Sequence, residues 1–169
     1  RRVVGSRSRD LRLGEPPPKV DVVGQHLDDL EMAVPVHRIF EDVSHEHAFR
    51  HLLEADVVMC CTDNHGSRAL VNDLASTYLL PVIDVGVQAG AKKNAGLAAL
   101  VAEVCVLTAT TPCLWCRKRI SADVIRAENL PPEQRERLLQ EGYLVGAAGA
   151  PAPSVVALTG LGAGLATCA

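Results

Sequence analysis

The chain has 169 residues, a formal net charge of −3, and 48% hydrophobic but only 3% aromatic residues. Ala, Val and Leu supply 64 of the 169, the composition of a folded domain with an aliphatic core, so a disordered chain is excluded. The length suits one domain, and the mildly acidic balance argues against a nucleic-acid binder.

The start, Arg1-Arg2-Val3-Val4, has no initiator Met and reads as though it lies inside a domain. Residues 1–18 are basic and Gly/Pro-rich, and Pro16-Pro17-Pro18 imposes an extended entry. Lys19 to Met32 places Val20, Val23, Leu27 and Leu30 at helical spacing. Val34 to Val43 alternates as a short strand through Val36 and Phe40. Glu46 to Leu53 predicts a short helix.

Ala55 to Cys61 is a continuous apolar run, the pattern of a strand buried on both faces of a parallel sheet. Thr62-Asp63-Asn64 follows, with Thr62 or Asp63 as the expected helix cap. His65 to Leu79 predicts a helix with Leu70, Val71, Leu74, Ala75 and Tyr78 inward. Pro81 to Val87 predicts a second buried strand, which completes a βαβ unit and implies a parallel sheet. Gln88 to Asn94 reads as a polar turn, then Leu97 to Val101 and Glu103 to Leu107 as short antiparallel strands. Arg117 to Gln140 is highly charged, with two helical patches around Pro131-Pro132. Residues 142–154 form a Gly/Ala/Pro loop, and Ser154 opens a last helix with Val155, Leu158, Leu161 and Leu165.

The six cysteines, two of them adjacent at Cys60-Cys61, suit buried free thiols better than bridges. No apolar stretch approaches the roughly 18–20 residues of a membrane span. The expected setting is cytoplasmic and reducing.

Five features could carry chemistry. Thr62-Asp63-Asn64 lies at a strand's C-terminal end and a helix's N-terminus, where α/β folds bind ligands and where anions are favoured. An Asp beside phosphates is normally a Mg²⁺ ligand. The plain alternative is a helix cap. Cys113 and Cys116 have metal-ligand spacing but supply two of the four ligands that zinc needs. They read as a zinc half-site or two idle thiols, with a redox pair third because no clear helix follows. His45, His47 and His51 read as a solvated charged loop, and the Arg117–Glu141 run as a solvated helical face or crossover loop, with a partner-protein contact as the alternative. Arg68 and Asn72, one helical turn apart, read as local helix contacts.

The segment Ala55-Asp56-Val57-Val58-Met59-Cys60-Cys61-Thr62-Asp63-Asn64, with Arg68, Asn72 and Pro81-Val82-Ile83-Asp84-Val85-Gly86, closely resembles the ThiF/MoeB/HesA family of ubiquitin-activating-enzyme-like adenylyltransferases. Supporting matches are Arg2-Val3-Val4-Gly5, Pro18-Lys19-Val20, Thr111-Pro112-Cys113-Leu114-Trp115-Cys116 and Pro153-Ser154-Val155-Val156. The resemblance implies an α/β, Rossmann-like, mainly parallel sheet with flanking helices. It implies a single partial domain over residues 1–169, truncated at both ends, with a crossover insert at 109–152. It also implies that ATP and Mg²⁺ activate the C-terminal Gly carboxylate of a ubiquitin-like or sulfur-carrier protein, with loss of pyrophosphate. Carried over, Arg2 and Lys19 contact phosphates, and Asp63 holds Mg²⁺ or orients the nucleotide beside Thr62 and Asn64. Cys113 and Cys116 match the zinc-bearing pair of some members.

The same resemblance places the family's Gly-rich phosphate loop and ribose-binding acid ahead of Arg1. The chain alone is therefore expected not to bind ATP usefully. The run Gly160-Leu161-Gly162-Ala163-Gly164 has the wrong spacing to replace that loop. Arg117 to Thr167 contains no Cys, so a thioester role is unsupported. The expected assembly is a homodimer, with no nucleic-acid or membrane partner. Two rival readings are a non-catalytic partner that binds a ubiquitin-like protein and a nicotinamide- or flavin-dependent oxidoreductase. The Asp63-Asn64 pair favours the adenylyltransferase over the latter.

Overall fold

The computed structural model describes residues 17–31, 34–92, 96–142 and 156–169. The chain divides into two compact units, Arg1–Ala48 and Phe49–Ala169.

In the first unit, Pro18 sets an extended backbone ahead of α1 (Lys19–Asp29), because its ring fixes φ. Gly24 is the buried residue of this helix, and the Arg38 guanidinium lies where a side chain would stand. Arg38 also pairs with Asp28. The segment 34–40 is thus tied to α1 by a side chain and enters no strand, contrary to the expectation for Val34–Val43. Its alternating apolar residues are exposed, Phe40 by 75%. Alternation alone makes no strand; a ladder partner must satisfy the backbone.

α2 (Glu46–Leu53) forms as its spacing predicts and buries Ala48. In the second unit, β1 (Val58–Cys60) is shorter than its apolar run. Val58 and Cys60 are buried while Met59 is 47% exposed, so among the described residues only one face of this strand is covered. α3 (His65–Tyr78) follows, ending on Leu79 in the left-handed region at φ 56°. It buries Val71, Asn72, Leu74 and Ala75. Tyr78 is not inward as expected; it is exposed and meets Phe49 edge-on at 6.3 Å.

β2 (Val82–Lys92) and β3 (Gly96–Leu107) form a long antiparallel hairpin with an irregularity between Gly90 and Ala91. The expected polar turn from Gln88 is therefore strand as far as Lys92, and the two short strands are one. β1 pairs parallel to β2, giving the sheet order β1-β2-β3. Among the described residues the sheet is mixed rather than mainly parallel, with the antiparallel ladder the longer. The parallel pair and its α3 crossover are the expected βαβ unit.

α4 (Ala122–Glu128) and α5 (Pro132–Gln140) fall on the two charged patches. Pro132 occupies the first helical position, where its missing N–H costs nothing. α6 (Val156–Thr167) packs on β2 and β3. A Cβ at Gly162 would sit 3.4 Å from Val85 and 3.6 Å from Val87, so small residues set the approach of this helix to the sheet. The Gly160–Gly164 run lies inside α6 and is no phosphate loop. The expected cap, Ser154, is outside the described residues, as is most of the 142–154 loop. Leu74, Val82, Cys105, Leu107 and Leu114 form the core, each at most 3% exposed. Among the described residues no helix is long and apolar enough to cross a membrane.

Candidate functional site

The turn Cys61-Thr62-Asp63-Asn64 joins the C-terminal end of β1 to α3. Asn64 is extended (φ −110°, ψ 153°), and its Oδ1 accepts the Ser67 N–H at 2.6 Å. The cap is thus Asn64, not Thr62 or Asp63. Asn64 spends its side chain on the helix, as its short amide suits it to do. The Thr62 hydroxyl lies 3.5 Å from Cys60 Sγ. Asp63 is exposed and makes no hydrogen bond or ion pair among the described residues. Burial pushes the Cys60 and Cys61 thiols up, so both favour the neutral form.

The remaining amides at the start of α3 are also engaged. The N–H groups of His65 and Gly66 each donate to one carboxylate oxygen of Glu128, both at 2.9 Å. A helix N-terminus attracts an anion, and here the anion comes from α4 of the same chain. His65 Nδ1 accepts the Ser121 N–H at 3.1 Å, which requires that nitrogen to carry no proton. Burial lowers the His65 pKa, against the pull of Glu128. Arg135 holds this arrangement from behind: Nε donates to the Ala127 carbonyl and Nη2 to the Glu128 carbonyl, both at 2.8 Å. The charged insert is therefore not simply a solvated face. Its Glu128 and Arg135 clamp it onto the start of α3.

A second cluster rests on no contiguous motif: its members come from α3, β2, β3 and the turn before α4. Asp84, the third residue of β2, is fully buried. Arg68 Nε lies 3.3 Å from Oδ1, and Arg119 Nη2 lies 3.2 Å from Oδ2. Arg119 Nη1 reaches Glu103 on β3 at 2.7 Å. The two cations and two anions balance. The missing Cβ of Gly86 leaves the space that the Arg119 guanidinium fills. Arg68 is therefore a tertiary contact rather than a local one. The signal was a lone carboxylate inside the apolar run Val82-Ile83-Asp84-Val85, because a buried charge demands a partner.

Asn72 is likewise a long-range contact. It is 3% exposed, and its Oδ1 accepts the Leu114 N–H at 2.8 Å. That bond pins the turn Cys113-Leu114-Trp115-Cys116 to α3. Within the turn, Arg117 N–H donates to the Cys113 carbonyl at 3.0 Å and Arg119 N–H to the Leu114 carbonyl at 2.9 Å. Lys118 takes the left-handed region at φ 57° to close it. The two sulfurs stand 3.5 Å apart. Hydrogen bonding from Cys116 draws the Cys113 thiol down, and the neighbouring Cys113 pushes Cys116 up.

Among the described residues no three His, Cys, Asp or Glu side chains gather as a metal site. Cys113 and Cys116 thus remain two ligands of the four that zinc needs. His47 pairs with Glu41 at 3.1 Å and His51 lies 3.6 Å from Glu54. Lys19 is the exposed first residue of α1 in the first unit. Arg2 lies outside the described residues.

No curated protein and no solved structure gives a significant match. The model of the ThiF family matches residues 6–165, which includes the strand–turn–helix around Asp63, the Asp84 cluster and the Cys113–Cys116 turn. A match over nearly the whole length shows that the chain belongs to the ThiF family.

Proposed function

We propose that this chain forms part of an ATP-dependent adenylyltransferase that activates the C-terminal carboxylate of a ubiquitin-like or sulfur-carrier protein. ThiF-family membership supports the class of reaction. The observation that carries the reading within this chain is Asp63. Its carboxylate is exposed and unpartnered among the described residues, at the C-terminal end of a parallel strand, while the adjoining Asn64 is consumed by capping. Such an oxygen fits Mg²⁺, which takes one or two carboxylates and keeps several waters.

When bound, ATP with Mg²⁺ supplies an electrophilic α-phosphate and a pyrophosphate leaving group. The chain's own residues have three tasks. Asp63 offers a hard oxygen ligand to the cation. Lys19 and Arg2 offset the charge of the phosphates, Arg2 as a fork and Lys19 as a point charge. Asn64 and Glu128 hold the α3 amides, so those amides do not cradle phosphate, and the Glu128 carboxylate raises the need for cations nearby. The partner is a protein with a free C-terminal Gly, and the working assembly is a homodimer.

The test is carrier-dependent exchange of pyrophosphate into ATP by the complete gene product and its Asp63→Ala variant. Loss of exchange with an unchanged melting temperature supports the assignment. Undiminished exchange in the variant removes Asp63 from the site.

A further inference from the structure

The turn between β3 and α4 is held at both ends and exposed in the middle. Leu114 is fully buried, and its N–H is committed to Asn72. Ile120 is buried, and the Arg119 guanidinium beside it reaches Asp84 and Glu103. Between these anchors Trp115, Arg117 and Lys118 are exposed, Trp115 by 41%. Trp115 is the one tryptophan of the chain. The Arg117 side chain is oriented: its Nε donates to the Pro112 carbonyl at 2.9 Å, which leaves both Nη groups of the fork for another acceptor. Among the described residues no carboxylate pairs with Arg117 or Lys118, so the turn is a basic patch on a chain of net charge −3. Lys118 stands at φ 57°, a conformation that is unfavourable for a residue with a Cβ and costs glycine nothing. It is fixed there by its own N–H on the Trp115 carbonyl at 3.0 Å and by the Arg119 N–H on the Leu114 carbonyl at 2.9 Å. The Lys118 side chain is exposed, so the strain does not serve burial of that residue.

We propose that Trp115, Arg117 and Lys118 form a docking surface for an acidic protein segment that carries apolar side chains beside its carboxylates. Trp and Arg are the residue types that concentrate binding energy at protein interfaces. The anchors on either side hold the turn in one conformation, so little backbone entropy is lost when a partner arrives. The Arg117 fork suits a carboxylate, Lys118 adds a point charge, and the indole of Trp115 offers apolar surface to the residues between. The complement is therefore negative and partly apolar. A nucleic-acid partner is disfavoured, because one aromatic and two cations on an acidic chain make neither a stacking platform nor a basic groove. None of the three side chains is a sulfur ligand, so the surface coexists with a metal on Cys113 and Cys116. The proposal is independent of the adenylation reading, because Asp63 has no part in it.

The test is titration of the full chain, purified without chelator, followed by the fluorescence of its single tryptophan. The probe is a capped synthetic peptide of about 12 residues of Glu, Asp, Leu and Phe. The comparison probes are the same peptide with Lys for each acid, the same acids with Gly and Ser for Leu and Phe, and an oligouridylate of equal length. The expected result is a saturable blue shift with the first peptide alone, weakened severalfold between about 50 and about 300 mM salt. Arg117→Glu combined with Lys118→Glu should weaken it at least about tenfold with an unchanged melting temperature. Lys118→Gly should separate display from stability: the melting temperature rises by about 2–4 °C as the strain is relieved, while binding weakens. No saturable shift at millimolar peptide overturns the proposal. So does equal binding of the basic peptide, tighter binding of the oligouridylate, or full binding by Lys118→Gly and the double variant.

Discussion

Replacing Asp84 by Asn leaves the Arg68 and Arg119 guanidiniums facing a neutral amide in a site where Asp84 itself has no exposure. Removing one member of a buried ion pair costs about 3–5 kcal/mol, because the surviving charge stays desolvated. The side chains of Arg68 and Arg119 keep 13% and 14% of their surface, and Glu103 still neutralises one end of Arg119. Both facts put the cost near the lower end, about 3 kcal/mol. For a chain of this size that is a fall of about 6–12 °C in melting temperature. Glu103→Gln provides the contrast. Its carboxylate is 44% exposed, and water can replace the lost pairing, so the cost stays below about 1 kcal/mol. Thermal and urea unfolding followed by circular dichroism at neutral pH measures both variants. Combining Arg68→Met, Asp84→Met and Arg119→Met replaces the buried carboxylate and both of its cationic partners with apolar side chains, and it recovers most of the loss. Equal, small effects of Asp84→Asn and Glu103→Gln would refute the reasoning, because Asp84 would then not be the buried hub of the cluster.

Glu128→Gln replaces the charged cap of α3 with a neutral one, and thermal unfolding should register a loss of about 1 kcal/mol, with Glu128→Ala losing more. Asn72→Ala leaves the Leu114 N–H buried without an acceptor, so it costs about 1–3 kcal/mol and also speeds alkylation of Cys113 as the turn loosens. Lowering the pH should erode stability through His65. Its folded pKa lies below the ordinary 6.5, so the unfolded chain takes the proton first, and the loss runs from about 6.5 downward to the folded value. Denaturant titrations across pH 5–8 check this, and His65→Gln should flatten that part of the profile.

The parts of the fold that the sequence declares are those with local causes. The α3 segment shows its cap chemistry and its period, and the β1-α3-β2 crossover follows from two apolar runs around it. Pro131-Pro132 marks the break between α4 and α5 for the same reason. Local pattern misleads where the cause is remote. Val34–Val43 alternates like a strand, but its own Arg38 ties it to Asp28 of α1. Gln88 to Lys92 is polar enough for a turn, yet its pairing with β3 extends the ladder.

The site divides in the same way. Asp63 and the Cys113–Cys116 spacing are visible as motifs. Glu128 is not, because it lies 62 and 63 residues beyond the amides it caps. Arg119 was hidden among the charges of the insert, and only the buried Asp84 could have called for it.

The most direct test of the central claim is exchange of labelled pyrophosphate into ATP by the complete gene product, with and without a carrier protein ending in a free Gly. Label should enter ATP only when ATP, Mg²⁺ and the intact carrier are all present, and not with a carrier lacking the terminal Gly. Exchange that ignores the carrier, or no exchange beside turnover of a nicotinamide or flavin, would contradict that claim.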